Sequence, residues 1–172
     1  MVSEYKCRYS PYAMGLTISL NIAGAGYLCY QISRLIVHPE NKAAHWAELI
    51  AVAVLMLYFF LIHPQSIIVD NTALVIRKFI GSRRIDAGNI SSISLINYDD
   101  MNVTFRLFAS GGFWGFLGYF FSFRYKVLRL YATNLDNLLL IKTNSGKKIV
   151  ISPENPDKVV SLVTQFKVAS GA

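Results

Sequence analysis

The sequence predicts a two-helix transmembrane hairpin, followed by one small antiparallel β-barrel that a C-terminal α-helix closes. Two long uncharged runs lie near the start of the chain, strand-like runs separated by turns follow residue 65, and an amphipathic stretch ends the sequence. The chain is also more apolar than an ordinary soluble domain, with 53% hydrophobic and 16% charged residues among 172. These observations divide the chain into residues 1–65, which hold the N-terminal segment and the hairpin, and a domain over 66–172.

The two uncharged runs predict membrane-spanning helices over about 12–37 and about 46–63. Both approach the ~20 residues that a helix needs to cross a ~30 Å hydrocarbon core. The connecting loop, His38 to His45, is short, so the helices should lie antiparallel. A cleavable signal peptide is the alternative, because basic residues precede the first run and an Ala-Gly-Ala site lies at residues 23–25. The apolar run continues past that site, which favours an uncleaved helix.

Small residues spaced by four predict the faces through which the two helices pack. The first helix carries Gly15, Ser19 and Ala23, and the second carries Ala47 and Ala51. On a helix this spacing forms one stripe, along which two backbones can approach closely. The alternative is that small residues are simply common in membrane helices.

The distribution of basic residues predicts that both chain ends are cytoplasmic. Lys6 and Arg8 precede the first helix, and four basic residues follow the second between positions 77 and 84, whereas the connecting loop carries Lys42. Loops on the cytoplasmic side carry the excess of Lys and Arg. Arg34 lies at the outer end of the first helix, where its long side chain can reach the interface.

Beyond the second helix, short runs rich in branched residues predict about seven strands. They alternate with turn signals such as Asp70-Asn71 and the turn at residues 144–147. A helix over about 156–168 then ends the chain, because Pro156 suits the first helical position and apolar residues recur after it at helical spacing.

A resemblance to a known family rests on two segments, GGFWGFLGYF and LYATNLDNLLLIKTNSGKKIVISPENPDKVVSLV. They resemble the bacterial pleckstrin-homology (PH) domain family of small membrane proteins, over roughly Ser66 to Phe166. The resemblance implies a PH-like barrel beside a helical hairpin in the bacterial inner membrane, and it implies no particular ligand. In lipid-binding eukaryotic domains basic residues flank the first hairpin loop, which here is Asp70-Asn71-Thr72. A phosphoinositide pocket of that type is therefore not expected.

The residues of the C-terminal domain argue against an enzyme. All three histidines and both cysteines precede residue 64, which excludes Cys-His and Ser-His nucleophiles and the usual zinc sites from the domain. Its glycines do not form a phosphate-binding loop, and its acidic residues lack the spacing of a calcium loop. We expect no catalytic residue, no metal and no cofactor. An enzyme that uses carboxylate chemistry is the remaining alternative of this class.

Charge and architecture together predict an interaction domain at a membrane. Of the 17 Lys and Arg residues, 13 follow residue 65, against seven of the ten acidic residues, so the domain carries about +6. The leading hypothesis is a membrane-anchored domain that binds a protein partner or anionic lipid headgroups at the cytoplasmic leaflet. The alternative is a structural or accessory subunit of a larger membrane or transport complex, as a homo- or hetero-oligomer. Nucleic acid is not expected, because the chain is tethered to a membrane.

The segment SGGFWGFLGYFFSF, residues 110–123, is the candidate contact surface. A third span over 107–123 is the alternative, but 17 residues at ~1.5 Å each would reach only ~26 Å. Since one strand turns only half of its side chains inward, the remaining aromatic residues must contact the bilayer, the base of the hairpin or a partner. Basic residues just beyond the segment would lie near headgroups. The predicted contact residues are Phe113, Trp114, Phe116, Leu117, Arg124 and Lys126.

Overall fold

The computed structural model describes residues 2–37 and 42–169. The helices among these residues are α1 (Pro11–Val37), α2 (Lys42–Ile62), α3 (Tyr98–Met101) and α4 (Pro156–Ala169). The strands are β1 (Ser3–Lys6), β2 (Pro64–Val69), β3 (Ala73–Lys78), β4 (Ser82–Asp86), β5 (Ile90–Ile96), β6 (Val103–Gly112), β7 (Gly115–Ser122), β8 (Lys126–Ala132), β9 (Leu138–Thr143) and β10 (Lys148–Ile151). Part of the predicted connecting loop, residues 38–41, lies outside the described residues.

The strands form two sheets that share no hydrogen-bonded ladder. One has the order β1-β2-β3-β4 and is antiparallel throughout, and the other has the order β5-β9-β10-β8-β7-β6. The prediction of about seven antiparallel strands in a closed barrel differs from this, since ten strands are present among the described residues. One pair, β8 with β10, is parallel, because the β9–β10 hairpin inserts between β5 and β8.

The N-terminal residues belong to the first sheet. β1 pairs antiparallel with β2, from Ser3 opposite Val69 to Lys6 opposite Ser66. The hydroxyl of Ser66 also donates a hydrogen bond of 2.5 Å to the carboxylate of Glu4. This differs from the expected division at residue 65. The chain therefore enters α1 and leaves α2 from two neighbouring strands.

The six-stranded sheet is apolar on both faces, because alternate residues of a strand point to opposite sides. Leu139 and Ile141 of β9 face one core, and Leu138 and Leu140 face the other. The first core lies between the two sheets and α4, whose apolar residues Val159 and Val163 are buried there. Each buried branched side chain stabilises the fold by about 1.5–3 kcal/mol.

The two long helices present apolar side chains outward. In α2, large exposed residues include Ile50, Val54, Leu55 and Leu57. Within the described ranges, α2 is the one helix that is both long enough and apolar enough to cross a membrane. α1 is also long and exposed, but Asn21 and Gln31 interrupt its apolar run.

Candidate functional site at the junction of helices and domain

The segment predicted as a contact surface forms a strand hairpin. Residues 110–123 comprise the end of β6, a turn at Phe113 and Trp114, and all of β7. The hydroxyl of Ser110 donates a hydrogen bond of 2.6 Å to the carbonyl of Phe113 and closes the turn. The segment is therefore two strands rather than a third helix, and its turn points at the helices.

The turn is hydrogen-bonded to α1 through Thr17. The amide of Trp114 donates to the Thr17 hydroxyl at 3.0 Å, and that hydroxyl lies 3.0 Å from the carbonyl oxygen of Gly112. Gly112 has a φ of +122°, and a Cβ added there would lie 2.5 Å from Cδ2 of Leu16. The positive φ therefore favours glycine at position 112, and any Cβ there would also displace the Leu16 side chain of α1.

The same turn packs against the C-terminal end of α2. The ring of Trp114 lies 5.0 Å from that of Phe60 and 5.4 Å from that of His63. The ring of Phe79, from the β3–β4 turn, lies 4.6 Å from Phe60. Such ring pairs contribute about 0.5–1.5 kcal/mol each beyond their buried area. We call Phe60, His63, Phe79 and Trp114 the junction cluster, and it joins the helices and the domain into one unit.

Of the predicted contact residues, Phe113 and Trp114 meet the base of the helical hairpin. Phe113 packs against Phe59 with a ring distance of 6.3 Å. Phe116 and Leu117 do not contribute to a contact surface, because they are only 5% and 0% exposed. β7 buries both of its faces at this end, and therefore these two side chains belong to the interior of the domain.

Arg124 and Lys126 lie at the other end of β7, in and beside the β7–β8 turn. The eight residues of β7 separate them from Trp114, a distance of about 26 Å at ~3.3 Å per residue. These two basic residues and Trp114 therefore lie at opposite ends of β7, and a shared contact surface stays a prediction. Closeness in sequence does not give closeness in space when the intervening segment is a strand.

The small-residue stripes do not face each other. Gly15, Ser19, Ala23, Ala47 and Ala51 are all exposed. The helices instead meet at Gly24, where an added Cβ would lie 2.8 Å from Cε of Met56. Gln31 and Tyr27 donate hydrogen bonds to the carboxylate of Glu48. The contact is displaced by one residue, or about 100° around α1, from the predicted stripe.

The β3–β4 turn also belongs to this site, although it was not predicted from the sequence. Ile80 is 60% exposed and Phe79 48% exposed, and the amide of Ile80 donates to the carbonyl of Leu61 at 3.1 Å. The signal in the sequence was two consecutive large apolar residues in a turn, where polar residues are usual. These side chains form an exposed apolar edge directly beside the end of α2.

Two titratable groups near the junction, Cys7 and Tyr9, have raised pKa values. Burial raises the pKa of the Cys7 thiol to about 12. Burial, and secondly the charge of Cys7, raise the pKa of Tyr9 to about 12. A thiol with such a pKa is a poor nucleophile near neutral pH. Among the described residues no cluster of His, Cys, Asp and Glu could hold a metal ion.

The comparisons with known proteins identify the C-terminal domain. The family model of the bacterial PH domain matches residues 65–166. This range covers β3 to β10 with nearly all of β2 and most of α4, and it leaves out β1, α1 and α2. Neither the curated proteins nor the solved structures yield a match.

Proposed function

The chain belongs to the bacterial PH domain family, and from that premise we propose that it is a membrane-anchored interaction module, with its PH domain held at the cytoplasmic face of the inner membrane. The resemblance predicted from the sequence is confirmed, and a PH domain indicates a module that binds protein or lipid. The membrane anchor, both spans and the orientation are parts of the proposal.

The pairing of β1 with β2 is the observation on which the proposed membrane anchor rests. β1 precedes α1 and β2 follows α2, and four residue pairs join them in one sheet. Two paired strands must lie on the same side of a membrane. The chain between them therefore crosses either twice or not at all. Since α2 has the length and composition of a span, α1 should be the second crossing.

The surfaces of the helices favour two crossings of the membrane rather than none. Large apolar residues of α1, among them Ile18, Leu20 and Ile22, are exposed as those of α2 are. The polar groups Gln31 and Glu48 bond to each other between the helices, as polar side chains within a membrane usually do. Cleavage of a signal peptide near residue 25 would remove β1 together with the Thr17 contact, so the strand pairing also favours an uncleaved α1.

The junction would then set the height of the domain relative to the bilayer. The exposed Phe79 and Ile80 lie beside the last turn of α2, at the level where headgroups begin. Because the domain is fixed there, a partner at the membrane meets it at a high effective concentration, and weak contacts suffice.

Cysteine labelling tests the topology. In a Cys29→Ser background, Val2→Cys and Ser145→Cys place thiols near the N-terminus and on the β9–β10 turn, both exposed. A membrane-impermeant maleimide should label both only after spheroplasts are permeabilised. Lys42→Cys, at the start of α2, is the matched control and should be labelled in intact spheroplasts. Labelling of Val2→Cys and Ser145→Cys from opposite sides would refute the hairpin, and labelling of both in intact spheroplasts would refute the orientation.

A second candidate function is a subunit of a larger membrane complex, which the exposed Gly15, Ser19 and Ala23 favour, because α2 does not cover this stripe. Ala23→Leu should then shift the protein to a smaller species on a native gel. Ala25→Leu, on the opposite side of α1, is the control and should leave the migration unchanged. Equal migration of both variants with the natural protein would count against this function.

A further inference from the structure

A cleft on the side of the PH domain gathers basic side chains from both sheets. It has a volume of about 330 Å³ and lies between β4 of the four-stranded sheet and β7, β8 and β10 of the other. Its charged lining residues are Arg83, Arg129, Lys147 and Lys148, and no carboxylate lines it. The cleft is separate from the junction cluster.

Aromatic rings hold the two guanidinium groups in place. Arg129 lies over the rings of Tyr119 and Tyr131, at 5.0 and 5.2 Å from their centroids. Arg83 lies 6.0 Å from the Tyr131 ring, and one of its nitrogens is 3.5 Å from the Tyr131 hydroxyl. Tyr131, only 4% exposed, is fixed in the core. One buried ring therefore positions both arginines, and their side chains lose little further freedom when a ligand binds.

The positive charges of the cleft are not neutralised. The ion pairs among the described residues join Arg8 to Glu154, Arg77 to Glu4 and Arg84 to Asp86, and none includes a cleft residue. Like charges that converge without a counter-charge repel one another. An anion bound between them would relieve this repulsion and join the two sheets.

We infer that this cleft binds a phosphate-bearing ligand. Guanidinium groups present paired N–H donors that match the oxygens of a phosphate, and lysines add charge. The volume lies at the lower end of the range for small-molecule sites. The inference deepens the proposed function, and it rests on the domain being an interaction module. The phosphate could belong to a soluble molecule or to a lipid headgroup, and the chemistry of recognition is the same.

Pyrophosphate binding to the full-length protein in phosphatidylcholine nanodiscs tests the inference by titration calorimetry at constant ionic strength. We expect saturable binding that weakens about tenfold or more in Arg129→Gln and in Arg83→Gln. Arg84→Gln is the matched control. It removes the same charge from the next residue of β4, which points away from the cleft and pairs with Asp86 and Thr72. Its affinity should stay within about twofold of the natural protein.

Lys147→Gln keeps the test independent of folding, because this residue is exposed in the β9–β10 turn. It should weaken binding severalfold without changing the unfolding temperature. Absence of saturable binding would overturn the inference, as would equal losses in Arg83→Gln and Arg84→Gln, which would indicate general charge attraction.

A second arm identifies the source of the phosphate. Nanodiscs that contain phosphatidic acid should compete with pyrophosphate if the cleft takes a lipid headgroup, and they should have no effect if it takes a soluble ligand. Either result supports a phosphate site. Arg129→Gln should stay in the membrane fraction, so failure of the cleft and failure of the proposed anchor are distinguished by separate measurements.

Discussion

One hydroxyl, that of Thr17, links α1 to the domain. It accepts from the amide of Trp114 and lies within reach of the Gly112 carbonyl. Thr17→Val keeps the shape of the side chain but leaves the partly buried amide of Trp114 without this acceptor. We expect it to lower the free energy of unfolding by about 1–3 kcal/mol, measured by thermal unfolding in detergent. Thr17→Ser retains the hydroxyl, so its free energy of unfolding should fall by less. Equal losses in the two variants would show that the methyl group, rather than the hydrogen bond, matters.

Cys7 should make stability depend on alkaline pH. Its thiol is buried, and its pKa is raised from 9.0 to about 12 in the folded protein. A raised pKa contributes stability that is fully present below pH 9 and is lost as the pH rises toward 12, because the unfolded chain releases its proton first. We expect a loss of about 1.4 kcal/mol per pH unit within that window. Cys7→Ala should remove this slope in urea unfolding between pH 8 and 10, below the range in which the raised pKa of Tyr9 adds a slope of its own. An unchanged slope would contradict the assignment to Cys7.

The sequence shows which reactive residue types the domain lacks. It does not show which of the residues present come into contact in the fold. The absence of His and Cys from the domain is a matter of composition, whereas Arg83 and Arg129 lie 46 positions apart and converge only through the packing of β4 on β8. Trp114 was predicted as a contact residue, yet its partners Phe60 and His63 lie more than 50 positions earlier in the sequence.

Among the secondary-structure elements, the β6–β7 hairpin depends on its glycines. Gly118 of β7 has a φ of +112°, and a Cβ there would collide with the carbonyl of Phe108 and lie 2.8 Å from Cα of Ala109. Gly118→Ala should therefore cost about 2–4 kcal/mol, from backbone strain and overpacking.

Gly88→Ala is the control for this substitution. Gly88 has open space around it and no positive φ, so the change should alter the unfolding temperature little. Thermal unfolding in detergent measures both variants, and similar unfolding temperatures would contradict the assigned role of Gly118.

Elements with a strong local signal were predictable. The helices over 12–37 and 156–168 lie close to α1 and α4, since long, mostly apolar runs, a proline at the first turn and helical periodicity are properties of neighbouring residues. The order of the strands in the two sheets could not be predicted, because strand pairing depends on contacts between residues that are distant in sequence. β1 was missed because four residues are too few to show a period.

At the scale of the whole molecule, β1 closes the first sheet from outside the matched family region. Deletion of residues 2–5 removes most of this strand but keeps Lys6 and Arg8, on which the proposed orientation rests. We expect it to lower the free energy of unfolding by about 2–4 kcal/mol, from lost strand hydrogen bonds and cross-strand contacts. Limited proteolysis should then cut the domain faster. Glu4→Gln, which keeps the strand, is the control, and equal protection of all three proteins would show that β1 is dispensable.

The pairing of the chain's first strand with one made much later also constrains biosynthesis. Ser3 leaves the ribosome 66 residues before its partner Val69, an interval of several seconds at about 5–20 residues per second. If both helices cross the bilayer as proposed, they must insert during that time, while β1 remains in the cytoplasm without a partner. A nascent chain whose first helix failed to cross would then hold β1 and β2 on opposite sides of the membrane. Its domain would lack an edge strand, a defect that proteases can recognise, so under the proposed topology the sheet would act as a check on correct insertion.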